Sequence, residues 1–376
     1  MSRIVSDQLI VRPVQEHDLD DLFELAGRVG LGMTSLPPDK DVLRKKIQAS
    51  INSFVRTAAS GSDYFLLVME DQARSKVVGT AGIYAKTGSA QAFYNYRLTS
   101  LTHYSLSLDR QIRHDTLNLT NDYTDCSEIG TLIVDPDYRG NGAWLAKCRY
   151  LLIQNAPSRF SPTLIASLRG YIDGRGMSPF WEGVGRKFFA MDFDEADRLS
   201  GRESNQFITE LMPRHAIYTS LLSDEAREAI GRPHKDSERA LNLLYKEGFR
   251  YDQVVDIFDA GPYVAADSRT LLSMKNACRV RKKGDALIQQ SANHNGAIQL
   301  SLTDNDHLVA NTSLAEFRAK KITITDSMCL KQGAIQSGQP MSWTANTGYL
   351  SELAQLSLKN GDSDFQCLAI KKRDRR

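Results

Sequence analysis

The stretch TLIVDPDYRGNGAWLAK (131–147) decides the fold more than any other part of the chain. An apolar, β-branched run ends at Asp135-Pro136, a turn with one arginine and two glycines follows, and leucines then return at helical spacing. This pattern predicts a strand, a glycine turn and a helix. Because the first backbone N–H groups of a helix have no intrahelical partner, the corner is also a candidate anion site. The alternative is an ordinary packing corner.

Composition narrows the class of protein. The chain has 376 residues, 41% of them hydrophobic, which is enough for more than one core. Its formal net charge of +2 is nearly balanced and argues against a nucleic-acid binder. Since no apolar run of about 20 residues occurs and the N-terminus lacks an apolar signal core, we expect no membrane partner and no secretion.

Cysteine and histidine usage indicates the compartment. The five cysteines are odd in number and show no Cys-x-x-Cys spacing, which favours free thiols in a reducing cytosol over disulfides or zinc. The seven histidines form no His-x-x-x-His pair. We therefore expect a cytoplasmic protein without a metal site.

Strand and helix patterns alternate along the N-terminal half. The predicted strands are 9–14, 64–70, 76–84, 128–134 and 164–169, and the predicted helices are 18–26 and 39–54. Residues 85–125 are the least regular part, and they predict either an inserted loop or short strands. Alternating apolar and polar residues over 295–335 predict a small β-rich extension.

Two later segments each predict a helix, a glycine that ends it and a following strand. They are residues 178–189 and residues 240–251. Two such endings indicate a duplicated core, although helix–glycine–strand corners are also common by chance.

The glycine turn resembles the pyrophosphate loop of the GCN5-related N-acetyltransferase superfamily, which grips coenzyme A. The resemblance implies that backbone amides hold the pyrophosphate, with Lys147 or Arg149 near the other phosphates. Trp144 departs from the pattern, because a second glycine or alanine is usual there. The implied amides are those of Arg139, Gly140, Asn141, Gly142 and Ala143.

Longer words in the sequence are more specific, and they resemble the arginine N-succinyltransferase family over roughly residues 9–265. They include VRPV (11–14), FYNYR (93–97), RGYID (169–173), SPFW (178–181), ELMPRH (210–215) and DIFDAGP (256–262). The resemblance implies an α+β, acyl-CoA N-acyltransferase fold, possibly duplicated. It suggests a CoA-binding half over 8–195, a segment over 196–265 that completes the catalytic core, the β-rich extension over 266–345 and a tail over 346–376.

The implied reaction is transfer of a succinyl group from succinyl-CoA to the α-amino group of L-arginine, giving N2-succinyl-L-arginine and CoA. Succinyl-CoA is then a co-substrate, and no cofactor is permanently bound. Family members are oligomers of one or two kinds of subunit. Two alternatives stay open. In the first, the chain is an acyltransferase for ornithine or another amine on the same scaffold. In the second, it is a non-catalytic partner subunit that keeps CoA binding.

The resemblance also assigns catalytic roles. A backbone N–H of the strand over 132–134 would polarise the thioester carbonyl, with Leu132 and Val134 at the substrate. His234 takes the place of the family's proton donor, and imidazole changes charge near neutral pH. His215 is the rival candidate, because it also lies in a matched word.

Recognition of succinyl and arginyl groups requires opposite charges. A guanidinium binds a carboxylate bidentately, so Arg97 and Arg169 are the candidates for the succinyl end, with ordinary ion pairs as the alternative. Asn95 and Tyr96 either bind polar substrate groups or are ordinary sheet residues. The candidate acids for the arginine guanidinium are Asp173, Glu128 and Glu182.

Overall fold

A computed structural model describes residues 9–29, 35–56, 58–89, 91–202 and 210–275, together with the backbone of strand segments between 277 and 371. The chain divides into two compact units that alternate along the sequence. The first unit holds residues 1–83, 131–160 and 269–376, and the second holds 84–130 and 161–268. The predicted segmentation at 195, 265 and 345 follows functional halves rather than these units, and it stays a prediction.

The elements, in chain order, have the following bounds. The described strands are β1 Leu9–Pro13, β2 Tyr64–Asp71, β3 Lys76–Tyr84, β4 Asn95–Ser105, β5 Arg110–Thr120, β6 Ser127–Val134, β7 Thr163–Ser167, β8 Ile217–Tyr218, β9 Arg250–Val255, β10 Pro262–Asp267, β11 Ala277–Lys283, β12 Ala286–Gln289, β13 Ile298–Asp304, β14 His307–Asn311, β15 Leu314–Arg318, β16 Lys321–Thr323, β17 Ser342–Asn346, β18 Leu356–Ser357 and β19 Gln366–Lys371. The described α-helices are α1 Leu19–Val29, α2 Lys40–Val55, α3 Gly142–Asn155, α4 Arg186–Phe189, α5 Phe193–Arg202, α6 Asp224–Ala229, α7 Glu238–Glu247 and α8 Leu272–Lys275.

The first unit begins with the predicted strands and helices, which are confirmed. β1 pairs antiparallel with β2, from Leu9 opposite Asp71 onward. Helix α2 starts where the Asp39 carboxylate accepts the backbone N–H groups of Asp41 and Val42 at 3.0 and 3.2 Å. Its apolar side is buried, including Leu43.

The C-terminal extension of the first unit is rich in strands, as predicted. β13 pairs antiparallel with β14, β17 and β19, and β1 pairs antiparallel with β14. The alternating segment over 295–335 contains β13, β14, β15 and β16. Alternation with period two therefore identified this part correctly as sheet.

The second unit contains a long hairpin that the sequence did not predict. β4 and β5 pair over 11 residues each, from Asn95 opposite Thr120 to Ser105 opposite Arg110. The expectation of a loop or short strands over 85–125 was wrong in length. The hairpin was not predicted because most of its outer half is exposed on both faces. No alternation of apolar and polar residues therefore marks it in the sequence.

One of the two predicted helix–glycine–strand corners is absent. Residues 181–185 form a π-helical turn that continues into α4, Ala190 ends it with φ 53°, and α5 follows instead of a strand. Gly185 lies inside this helical run and does not end it. Glycine is required there because a Cβ would sit 2.1 Å from the Trp181 ring. The second corner is confirmed, since α7 ends at Gly248 with φ 123° and β9 follows. Duplication of the core stays a prediction.

The core of the second unit is built on Trp181. Its indole stacks on Phe189 and Phe258, with ring centroids 5.4 and 5.7 Å apart, and its N–H donates to Met191 O at 3.1 Å. A fully buried indole with a satisfied N–H is a strong core anchor. Among the helices that the structure describes, none is long and apolar enough to cross a membrane.

Candidate functional site

The glycine turn of the first unit is held in place from its N-terminal side. Asp135 is buried, its N–H donates to Val78 O at 2.9 Å, and its carboxylate accepts from Asp137 N at 2.9 Å and from Arg28. Tyr138 is anchored in turn by donating its hydroxyl to Asp71 at 2.6 Å. These bonds fix the chain where it leaves β6, so the turn that follows starts from a rigid base.

The turn presents four consecutive amides that bond to none of the described residues. The N–H groups of Gly140, Asn141, Gly142 and Ala143 donate to no residue in the described part of the chain, whereas Arg139 N donates to Pro136 O at 3.4 Å. Gly140 has φ 111°, a conformation that L side chains rarely adopt. A run of unpaired amides at the start of a 14-residue helix is a suitable anion site.

Strand β6 contains one left-handed residue just before the turn, and sequence reasoning missed it. Thr131 is buried, β-branched and left-handed, with φ 52°, and its carbonyl accepts from Thr80 Oγ1 at 2.8 Å. Such a conformation costs about 1–3 kcal/mol and is concentrated at functional sites. Leu132 and Val134 are half-buried, whereas Thr131 and Ile133 are buried. Within a β-branched run, no sequence signal marks Thr131.

The side chains that follow the turn differ in access. Arg149 is buried, 3% exposed, and its Nε donates to Ala146 O at 3.3 Å. Burial lowers the pKa of its guanidinium. Lys147 is half-buried. Of the two predicted phosphate contacts, Lys147 is therefore the better placed. Trp144 is half-buried, and its indole N–H donates to no described residue.

In the second unit, His234 sits on a loop whose backbone is tied to a neighbouring strand end. The backbone N–H of His234 donates to Arg169 O at 2.7 Å, and Pro233 forms an isolated antiparallel β-bridge with Gly170. Its ring nitrogen Nδ1 accepts the N–H of Asp236 at 3.2 Å. In the neutral ring the proton is then assigned to Nε2, which leaves Nε2 as the atom that a substrate can meet. A proton on Nδ1 would have the Asp236 carboxylate 3.7 Å away.

Asp259 supports the His234 loop from inside the unit, and sequence reasoning assigned it no role. It is 3% exposed, accepts from Gly170 N and Gly261 N at 2.9 and 2.8 Å, and lies 3.4 Å from Arg169 Nε. A Cβ on Gly170 would come within 2.2 Å of Asp259 O. The only sequence signal was its place in the word DIFDAGP.

Asp256 lies next to this carboxylate. Its Oδ1 accepts from Phe258 N at 2.7 Å and from Asp259 N at 3.3 Å. Burial first, and the nearby Asp259 charge second, raise the pKa of Asp256. The loop between β9 and β10 therefore carries one carboxyl group, that of Asp256, which is ionised less readily than usual.

The two arginines predicted for succinyl recognition are in different settings. Arg97 donates to Asp122 Oδ2 at 2.7 Å and to Asp252 O at 3.2 Å, the ion pair that was the alternative reading. Arg169 lies beside Asp259 and over the Phe193 ring, 4.9 Å from its centroid. Arg169 also carries the carbonyl that holds His234, so its position relates to the loop directly.

The predicted acids are mostly engaged locally. Asp173 accepts from Met177 N and Arg175 N at 2.9 and 2.8 Å, and these bonds lower its pKa. Glu182 pairs with Arg186 at 3.1 Å, and Glu128 is half-buried on β6. The role of these three acids in binding the arginine guanidinium stays a prediction.

The other candidates from the sequence are placed as follows. His215 is exposed. Tyr96 is fully buried and donates to Met212 Sδ at 3.7 Å. Asn95 is fully buried, and its amide bonds to none of the described residues. Cys126 and Cys148 are buried and form no disulfide, and no group of three metal-ligating side chains occurs among the described residues.

Comparisons with known proteins agree with one another. The family model described as "Arginine N-succinyltransferase beta subunit" matches residues 9–273. A Yersinia enterocolitica arginine N-succinyltransferase is 40% identical over 311 residues, which is 82% of this chain and 87% of the relative. An Enterobacter sp. relative of the same name is 41% identical over 261 residues, 69% of this chain and 76% of that one.

A solved structure extends the match to the fold. Subunit AI of the arginine/ornithine succinyltransferase from Pseudomonas aeruginosa superposes with a TM-score of 0.73 at 28% identity, covering 96% of this chain and 98% of that one. The predicted α+β acyltransferase fold is confirmed, and the protein is an acyltransferase enzyme. The chain belongs to the arginine N-succinyltransferase family.

Proposed function

We propose that this enzyme transfers the succinyl group of succinyl-CoA to the α-amino group of L-arginine, releasing N2-succinyl-L-arginine and CoA. The observation that carries the proposal is the run of four amides from Gly140 to Ala143, which no described residue pairs, at the start of α3. It lies inside the stretch that the family model matches. Such a run suits the pyrophosphate of an acyl-CoA.

The chemistry is aminolysis of a thioester. The neutral α-amine attacks the carbonyl carbon, the C–S bond breaks, and the amine loses a proton while the CoA thiolate gains one. Backbone at 132–134, with Leu132 and Val134, holds the acyl group, and an N–H there stabilises the oxyanion. The turn amides from Gly140 to Ala143 bind the pyrophosphate.

His234 gives the proton to the departing thiolate through Nε2. We assign Arg169 to the succinyl carboxylate ahead of Arg97, because the backbone of Arg169 binds His234 N and so places this residue beside the proposed proton donor. Asp173 is retained as the candidate for the arginine guanidinium.

Ornithine is the second candidate acceptor, since the Pseudomonas aeruginosa protein is named for both amino acids. The co-substrate succinyl-CoA is the only cofactor-like group proposed. The protein is proposed to be cytoplasmic, in line with its buried free thiols Cys126 and Cys148, and to be a homo- or hetero-oligomer.

The test is release of free thiol from acyl-CoA by the purified full chain. Succinyl-CoA and acetyl-CoA are each supplied with L-arginine or L-ornithine. Saturable release with succinyl-CoA and arginine supports the proposal, and release only with ornithine or only with acetyl-CoA replaces the substrate. No release from any pair, with CoA binding intact, would indicate a non-catalytic subunit.

The role of His234 is tested with a matched pair. We expect His234→Ala to lower kcat by about 100-fold or more, while His215→Ala leaves kcat within about twofold. Equal effects from both changes would reject His234 as the proton donor.

A further inference from the structure

The outer part of the β4–β5 hairpin exposes several apolar side chains. Leu101 is 42% exposed, Tyr104 59%, Leu106 86%, Leu108 69% and Ile112 51%. All five lie within 12 consecutive residues of one hairpin. Because side chains alternate along a strand, Leu101 and Ile112 lie on one face of the hairpin and Tyr104 on the other.

The backbone of β4 is also open along this patch. Apart from its full pairing with β5, β4 pairs with β9 only at Tyr96 and Arg97 among the described residues. From Leu98 to Ser105 its outer edge therefore has alternate N–H and C=O groups without a strand partner. An open edge of this length is a template for another strand.

Charge distribution separates the two strands of the hairpin. Residues 98–105 of β4, LTSLTHYS, contain no aspartate, glutamate, lysine or arginine, whereas 110–115 of β5, RQIRHD, contain three charged residues. Soluble proteins protect exposed edges with charges, prolines or bulges. β4 lacks the first two along this edge and keeps an unbroken register with β5. This edge of β4 therefore has none of these protections, whereas the β5 side carries charges.

We propose that β4 of a second copy of this chain covers the edge, so that two hairpins pair antiparallel about a two-fold axis near the middle of residues 98–105. A strand that joins this edge must be uncharged and rich in β-forming residues, and β4 itself meets both requirements. Antiparallel pairing of a segment with itself is self-complementary, as a two-fold interface requires.

The exposed side chains are consistent with this occupant. Leu101 and Tyr104 lie within the paired span on opposite faces of the hairpin, so apolar side chains of both copies would line the seam on each face. Backbone pairing of the two β4 strands adds directional hydrogen bonds that fix the register. The inference rests on the oligomer proposed above, and it specifies which surface forms it.

The test measures the mass of the full chain by light scattering at micromolar concentration. We expect wild type to have at least the mass of two chains. Leu101→Lys places like charges near the axis and should weaken self-association at least about tenfold, giving the mass of one chain. The matched control is Val55→Lys on α2, which is 64% exposed and should keep the wild-type mass.

Hydrogen exchange supplies the second measurement. In wild type, the amides of 98–105 that face away from β5 should be protected, and Leu101→Lys should abolish that protection while β4–β5 amides stay protected. A monomeric wild type would remove both the oligomer and this surface. An oligomer that Leu101→Lys leaves intact, or one with unprotected outer amides, would overturn only the surface.

Discussion

The glycine turn and the His234 loop carry different halves of the proposed chemistry, and they are built in opposite ways. The turn itself is shaped by neighbours in sequence, since Asp135, Tyr138 and Asn141 bond within a few residues of one another. Long-range bonds to Val78, Arg28 and Asp71 anchor only its N-terminal base. The His234 loop is held by groups far along the chain, namely Arg169 and, behind it, Asp259. The difference teaches that a binding turn can be read from a short stretch, whereas a positioned catalytic side chain depends on long-range contacts.

The largest effect should come from breaking the long-range support. Gly170→Ala would place a Cβ 2.2 Å from Asp259 O, so the backbone must move, and we expect a loss of about 3 kcal/mol in the free energy of unfolding. Because Arg169 O holds His234 N, kcat should fall as well. Denaturant unfolding and thiol release measure the two effects.

The control is Gly174→Ala, only a few residues away. No atom lies within 4 Å of a Cβ there, so stability should change by less than about 0.5 kcal/mol. If Gly170→Ala behaved like Gly174→Ala, the long-range half of the comparison would fail.

The local turn should break with a smaller loss of stability and a different kinetic signature. Gly140→Ala forces an alanine into φ 111°, and we expect about 1–2 kcal/mol of destabilisation. Because the change re-aims the free amides, KM for succinyl-CoA should rise about tenfold or more while kcat for bound substrate changes little.

Gly142→Ala sharpens this prediction. A Cβ on Gly142 makes an ordinary 3.7 Å contact with Val134 Cγ2, so the free energy of unfolding should stay within about 0.5 kcal/mol of wild type. A raised KM with unchanged stability would indicate that the ligand approaches residue 142 so closely that a Cβ there interferes with binding. An unchanged KM in both variants would contradict binding at the turn.

The smallest expected effect is a pH dependence of stability from Asp256. Its folded-state pKa is raised, so between the unfolded pKa near 4 and the higher folded value the folded state binds more protons. Its stabilising contribution is therefore present at low pH and is lost as pH rises towards neutrality.

Asp256→Asn keeps the oxygen that accepts from Phe258 N and removes the titration. Relative to this variant, wild type should lose on the order of 1 kcal/mol between pH 4.5 and pH 7.5, measured by urea unfolding across that range. A constant difference in the free energy of unfolding between the two proteins over this range would show that Asp256 does not hold a proton there.

Much of the architecture was predictable because local patterns coincided with final contacts. The early strands and helices follow their apolar periods, and Gly248 ends α7 as its sequence position indicates. The corner at 178–189 misled, because Gly185 is required by the Trp181 ring rather than by a helix end. The same residue type serves two purposes that only packing distinguishes.

The sequence by itself determined the glycine turn, since a strand, two glycines and a helix start are local features. The words shared with the family pointed to His234, but no local pattern did. Only the tertiary structure decided that Thr131 is left-handed, that Asp259 is buried under the His234 loop, and that Arg97 is bound in an ion pair. The physical reason is that strain, burial and ion pairing depend on which distant residues meet, and residue spacing alone does not specify those meetings.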